Sequence, residues 1–314
     1  MRAFCVRIYS EIHFKGKNMH TERANAKINA YLNIQSRRED GYHNIVSVMQ
    51  TISLCDLVTV DFQPALQSRI TLTVSGNAEL PADCRNLAWR AAERFLQYTH
   101  LMGVVQIMIQ KHIPMSAGLA GGSADAAAVL RALNQVCGKP LSTKTLCEIG
   151  LSLGADVPFC IRGGTMLSSG VGEQLERIPE MPSCTLVVAI GEAGVSTPQA
   201  YAALDEKYNF FAIPNTQSSN VNELIDLWQN GELSASCAYF YNIFEDVIAE
   251  QNHDVAVIKR VMRESGATRS LMSGSGPSVF GVFATQSEAE NAYLSLQEKG
   301  FQVFICHPCG KYTD

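Results

Sequence analysis

Three glycines, Gly118, Gly121 and Gly122, interrupt the segment KHIPMSAGLAGGSADAAAVLRALN (residues 111–134) just ahead of a run rich in alanine and leucine. A glycine loses more backbone freedom on folding than any other residue, so this grouping marks a path that a Cβ would obstruct. A helix N-terminus carries unpaired N–H groups and the positive end of the helix dipole. A glycine loop in front of it lets a phosphate chain lie against those donors. The loop is neither of the two common phosphate loops: no lysine follows Gly122, and Ala120 holds the place where a dinucleotide-binding loop has its second glycine. On residues alone, the same glycines also suit a tight strand-to-helix turn. The C-terminal CHPC, Cys306 to Cys309, has no second cysteine pair to complete a zinc site and is read as a tail bearing two thiols.

The elements around the loop follow from periodicity. In VVQIMIQ (104–110), Val105, Ile107 and Ile109 alternate with Gln106, Met108 and Gln110, which predicts a half-buried strand. Downstream, Ala126, Val129, Leu130, Leu133 and Val136 have the spacing of an amphipathic helix, which Gly138 and Pro140 end. The loop thus joins a strand to a helix. Further strands are expected at 26–34, 57–62 and 69–74, and a helix around 86–99. Later, strands at 184–190, 278–284 and 301–306, with a helix at 287–300 between the last two, predict a strand-helix-strand unit in an α+β domain. Two prolines in LERIPEMPS (175–183) mark the expected domain boundary.

The 314 residues, 46% of them hydrophobic, supply core enough for two domains. A net charge of −5 gives no basic field, which argues against nucleic acid or an anionic membrane as partner. No apolar run reaches the ~18 residues of a membrane-spanning helix. The N-terminus lacks the continuous apolar stretch of a secretory signal, and ten scattered cysteines are expected to be reduced thiols; both point to the cytoplasm.

Separate short segments, in order along the chain, resemble one family, the GHMP kinases. They are AKIN (26–29), RREDGYH (37–43), IPMSAGLAGGSADAAAVLRALN (113–134), LGADVPF (153–159), GVGEQL (170–175), GVST (194–197) and SGSGPSVF (273–280). DGYH and GADVPF resemble, more narrowly, the branch of that family whose acceptor is a cytidine-diphosphate methylerythritol. The resemblance implies an α+β two-domain fold, with an ATP-binding domain over 1–178 and a ferredoxin-like substrate domain over 179–314. It implies transfer of a phosphoryl group from ATP, with Mg2+, to the 2-hydroxyl of 4-(cytidine 5′-diphospho)-2-C-methyl-D-erythritol on the non-mevalonate route to isopentenyl diphosphate. A kinase for homoserine, mevalonate or a sugar is the nearest rival, against which DGYH argues; a catalytically silent relative is another, against which Lys27 and Asp156 argue.

Residue by residue, the resemblance implies that Pro114, Met115, Ser116, Ala117, Gly118, Leu119, Ala120, Gly121, Gly122, Ser123 and Ala124 hold the ATP phosphates. Asp156 matches the family's catalytic aspartate, which takes or orients the proton of the acceptor hydroxyl. Lys27 matches the lysine beside it, whose charge favours the developing alkoxide. Tyr42 and His43 match residues that pack on and hydrogen-bond the cytosine, Asn29 matches one near the substrate, and Tyr201 is expected to close the other face of the base. No protein ligand is assigned to the metal. The sequence departs from the family pattern at Asn25, where proline is frequent, at Ala30, where leucine is, and at Ala124, where a second serine is. Residues 1–20 match nothing in the family, and Met19 is an alternative start.

Overall fold

Two long strands open the chain: β1 (Met19–Arg37) and β2 (His43–Pro64). β1 extends the expected 26–34 strand at both ends because its alternation is unbroken. Ala24, Ala26, Ile28 and Ala30 are fully buried, while Asn25, Lys27 and Asn29 form a buried polar row on the opposite face. The computed structural model describes residues 19–77, 79–191, 196–208, 218–248 and 252–312. The chain forms two compact units that are discontinuous in sequence, one of 1–24, 55–112 and 121–161, the other of 25–54, 113–120 and 162–314. The boundary expected at 178/179 falls inside the second unit, because β1 and β2 each contribute to both.

In the first unit, Leu57–Pro64 of β2 pairs antiparallel with β4 (Gly103–Gln110), and β3 (Arg69–Ser75) pairs parallel with β4. Val105, Ile107 and Ile109 are buried and Gln106, Met108 and Gln110 exposed, as the alternation requires. Helix α1 (Leu87–Thr99) starts where the Asn86 side chain accepts from the Ala88 N–H. Its buried Ala91, Ala92 and Phe95 lie on the face toward α2 (Gly121–Val136). Helix α2 begins at Gly121, five residues before the apolar spacing becomes visible. Beyond its open first residues the helix is buried without a break from Ala124 to Leu130, so alanine fills positions where a larger side chain would not fit. Helices α3 (Thr143–Leu151) and α4 (Val157–Arg162) complete this part.

In the second unit, β5 (Thr165–Ser169) pairs antiparallel with Ser47–Gln50 of β2 and with β6 (Gln174–Arg177). A four-stranded sheet follows, built from β7 (Thr185–Ile190), β9 (Arg269–Met272), β10 (Val279–Phe283) and β11 (Gln302–Cys306); the two-residue β8 (Tyr241–Asn242) pairs parallel with β1 instead. The order β11-β7-β10-β9, all neighbours antiparallel, is the ferredoxin-like arrangement. Helices α5 (Thr197–Lys207), α6 (Ser218–Gln229), α7 (His253–Glu264) and α8 (Gln286–Glu298) belong to this unit. Val187, Ala189, Val279 and Phe283 pack with Ile258 and Met262 of α7 and Ala292 and Leu296 of α8. Phe280, on the other face, meets Phe240, which meets Trp228 of α6. Burial on both faces explains why TLVVAI and VFGVF are apolar without alternation.

Candidate active site

The backbone of the glycine loop has positive φ at Ser116 (51°), Gly118 (75°) and Ala120 (57°) before α2 begins. What approaches Gly118 is another stretch of chain: a Cβ there would fall on the Ser273 carbonyl oxygen. Ser273 Oγ donates to the Gly118 carbonyl at 3.2 Å and the Ser278 N–H donates to that of Ala117 at 3.3 Å, so the SGSGPS turn clasps residues 117–118. Gly122 differs. It is exposed, and a Cβ would meet only the Leu87 side chain, at 3.7 Å. The two glycines therefore differ in surroundings: Gly118 admits the SGSGPS turn, and Gly122 leaves the first turn of α2 uncovered. The Ser123 hydroxyl lies 3.9 Å from where a Cβ on Gly154 would stand, which brings it beside the GADVP turn. Half-buried Asp156 sits in that turn, its carbonyl accepting from the Cys160 N–H at 3.0 Å as α4 begins.

Lys27 is buried. Its Nζ donates to Asn29 Oδ1 at 2.7 Å, and its own N–H donates to the Leu119 carbonyl of the glycine loop at 3.1 Å. The Gly274 N–H also donates to Asn29 Oδ1, at 3.1 Å, while Asn29 Nδ2 donates to Ser47 Oγ, at 2.7 Å. Asn29 is thus held from both ends of its amide and fixes the ammonium. The second unit brings together Lys27, Asn29, the loop at 117–119 and the SGSGPS turn. Asp156 belongs to the first unit.

His43 is buried, its ring stacked on Tyr201 with centroids 4.8 Å apart and planes at 23°. This separation admits no ring between them. His43 Nε2 meets Asp205 Oδ1 of α5 at 2.7 Å, and the other Asp205 oxygen lies 3.3 Å from Arg37 Nη1. Neither Asp205 as the partner of His43 nor Arg37 as the partner of Asp205 had a signal in the sequence. Tyr42 stands apart, 66% exposed, an aromatic face open to solvent. Thr197, the last residue of GVST, shares a 2.9 Å hydrogen bond with Ser275; Gly194 and Val195 lie outside the described residues.

One cluster escaped the sequence reading. Lys111, at the end of β4, donates to both Asp56 of β2 and, at 2.9 Å, Asp125 Oδ2 in the second turn of α2, all three buried. Burial pushes the Asp125 carboxyl up to about 7, against the pull of the Lys111 ammonium, and the like charge of Asp56 adds to the rise. Burial works against the Lys111 charge too, but the two carboxylates outweigh it and raise its pKa. The signal was parity. Lys111 continues the inward series 105, 107, 109, and Asp56 that of Val58, Val60 and Phe62, so charged residues occupied core positions.

Models of the GHMP kinases N terminal domain and GHMP kinases C terminal match residues 86–164 and 221–302. With the ferredoxin-like sheet and the glycine loop before α2, these define a GHMP kinase. Relatives from Bacillus velezensis and Bacillus cereus, both named 4-diphosphocytidyl-2-C-methyl-D-erythritol kinase, are 38% and 40% identical over 92% of this chain and 97% and 96% of their own. A crystal structure of 4-(cytidine 5′-diphospho)-2C-methyl-D-erythritol kinase matches 93% of this chain and 100% of that one, with a TM-score of 0.76 at 30% identity. The chain belongs to the 4-diphosphocytidyl-2-C-methyl-D-erythritol kinase family. A homoserine kinase from Cytophaga hutchinsonii matches 96% of this chain and 98% of its own with a TM-score of 0.74 at 20% identity, a likeness of fold alone.

Proposed function

We propose that the protein transfers the γ-phosphoryl group of ATP to the 2-hydroxyl of 4-(cytidine 5′-diphospho)-2-C-methyl-D-erythritol, a step of the non-mevalonate route to isopentenyl diphosphate. The observation that carries this reading is the 38–40% identity to kinases of that name over nearly the whole chain. The acceptor oxygen attacks phosphorus as the bond to the β–γ bridging oxygen breaks; ADP leaves, and the hydroxyl proton passes to the Asp156 carboxylate. Lys27 supplies positive charge at that oxygen, held ready by Asn29, so no reorganisation is needed as charge develops. Pro114 to Ala124 cradle the nucleotide phosphates, for which the open first turn of α2 at Gly122 and the Ser123 hydroxyl are suited.

Among the described residues no group of three His, Cys, Asp or Glu side chains could hold a metal. Mg2+ would be carried with the nucleotide and would supply neutralisation of phosphate charge, and no protein ligand is assigned to it. Tyr42 offers the cytosine a stacking face, and His43, Asn29 and Tyr201 complete the substrate side. Among the described residues no helix is long and apolar enough to cross a membrane. The test is ADP release with the cytidine substrate beside homoserine, mevalonate and galactose. The cytidine substrate should be used with far the highest kcat/KM, and preference for another alcohol overturns the substrate.

A further inference from the structure

The polar row on β1 is anchored at both ends. Asn29, at one end, is tied to Ser47 and Gly274. Asn25, at the other, is tied to Tyr312: the Tyr312 hydroxyl accepts from the Asn25 N–H at 3.2 Å and donates to Asn25 Oδ1 at 3.0 Å. Asn25 Nδ2 donates onward to the Ile52 carbonyl of β2 at 2.8 Å. Lys27 stands between these anchors on the same face of the strand.

Tyr312 is itself held in place. Residues 307–312 run along β2 as an added, irregular strand: Ser53 N–H donates to the His307 carbonyl at 2.9 Å and Cys309 N–H to that of Thr51 at 2.8 Å. The bridge between Gly163 and Lys311 and a 3.3 Å bond from the Tyr312 N–H to the Arg162 carbonyl close its end. The Tyr312 ring lies on Gly163, where φ is +61° and a Cβ would stand 2.8 Å from the ring. This segment lies beyond the matched 221–302, and it contains most of the CHPC sequence that had no metal to bind.

We propose that residues 307–312 are a positioning element for Lys27, with Tyr312 the positioning residue acting through Asn25 and β1. This rests on Lys27 acting at the acceptor hydroxyl. Asn25 is what makes the tie: a proline at that position would have neither the N–H nor the amide that Tyr312 engages. Losing the hydroxyl removes two of the bonds that fix Asn25 and leaves its Nδ2 bond to Ile52, so the near end of the polar row loosens and the ammonium is displaced while both ligand sites keep their own residues.

The test is steady-state kinetics of Tyr312→Phe, alone and in a Lys27→Ala background, with melting curves for each. Displacement of a reacting group by about 1 Å costs up to about a hundredfold, so Tyr312→Phe should lower kcat about ten- to a hundredfold. The KM for each substrate should stay within about twofold, since binding contacts are untouched. In the Lys27→Ala background the second change should cost nothing further, because the residue through which it acts is gone. An unchanged kcat with a lowered Tm, or the same fractional loss in both backgrounds, overturns the proposal and leaves the Lys27 assignment standing. Normal turnover by Lys27→Ala alone overturns that assignment and the proposal with it. Should Tyr312→Phe not fold, Asn25→Ala, which keeps the Tyr312 hydroxyl and removes its Oδ1 acceptor, carries the same test with the same outcomes.

Discussion

Lys27 is buried and donates to the neutral amide oxygen of Asn29, the arrangement on which its proposed role at the reacting oxygen rests. Lys27→Ala and Asp156→Asn should each lower kcat by about 10² to 10⁴ and leave ATP affinity nearly unchanged, as titration calorimetry and initial rates would show. The glycines allow a sharper comparison. Gly118→Ala places a Cβ on the Ser273 carbonyl in a left-handed backbone that alone costs about 1–2 kcal/mol, so the melting temperature should drop. Gly122→Ala meets no such obstacle and gains about 0.5–1 kcal/mol in helix preference, so the protein should be as stable or more so. If phosphates lie on that turn, the same variant should bind ATP about tenfold or more weakly, one charge-assisted hydrogen bond's worth. Unaltered ATP binding by a folded Gly122→Ala protein would remove the first turn of α2 from the nucleotide site.

At the scale of elements, the Asp56–Lys111–Asp125 cluster ties β2, β4 and α2 together with one positive charge for two buried carboxyls. The neutral arrangement is Lys111 with Asp56 and a protonated Asp125, consistent with an Asp125 pKa raised to about 7. A raised carboxyl pKa means the folded chain holds a proton that the unfolded chain has released, so its contribution is full below about pH 4 and is lost as pH rises toward 7. Asp125→Asn removes that loss. Its melting temperature relative to the unaltered protein should therefore improve steadily between pH 4 and 7, and a difference independent of pH would exclude the titration. In the second unit, Asp205 orients His43 from α5 while also facing Arg37. Asp205→Ala should raise KM for the cytidine substrate by roughly tenfold and narrow the preference for it over the uridine analogue, the ratio of kcat/KM values being the measurement.

Across the whole molecule, the chain passes between the two units at 24/25, 54/55, 112/113, 120/121 and 161/162. Neither unit is a continuous segment, so neither is expected to unfold while the other's strand halves stay paired. The chain's two tryptophans fall one in each, Trp89 in α1 and Trp228 in α6, where the indole N–H donates to Ser236 Oγ at 2.9 Å. Single-tryptophan proteins made by Trp89→Phe and Trp228→Phe should each melt with a fluorescence transition that coincides with its own circular-dichroism transition. A fluorescence midpoint displaced from the circular-dichroism midpoint in either protein would show that the units unfold separately.

The sequence by itself determined β3, β4, α1, α8, the core of β1 and the later part of β2 from side chains that alternate or repeat, and β7, β10 and β11 as short apolar runs. It offered the glycine loop as an anion site or a tight turn and, through short segments in a fixed order, pointed to the kinase family. It left out the short α3 and α5, and also α6 and α7, although Val255, Ile258, Val261 and Met262 of α7 do recur at helical spacing. It left out the start of α2 as well, where glycine, serine and aspartate precede the apolar spacing. Only the tertiary structure decided that chain packs on Gly118 while Gly122 stays open, because the two residues are identical and differ only in what lies opposite. It alone paired His43 with Asp205, Asn29 with Gly274, and Asn25 with Tyr312, contacts separated by up to 287 residues. A hydrogen bond between distant residues leaves no period in the sequence; it exists only once strands from both ends of the chain lie side by side.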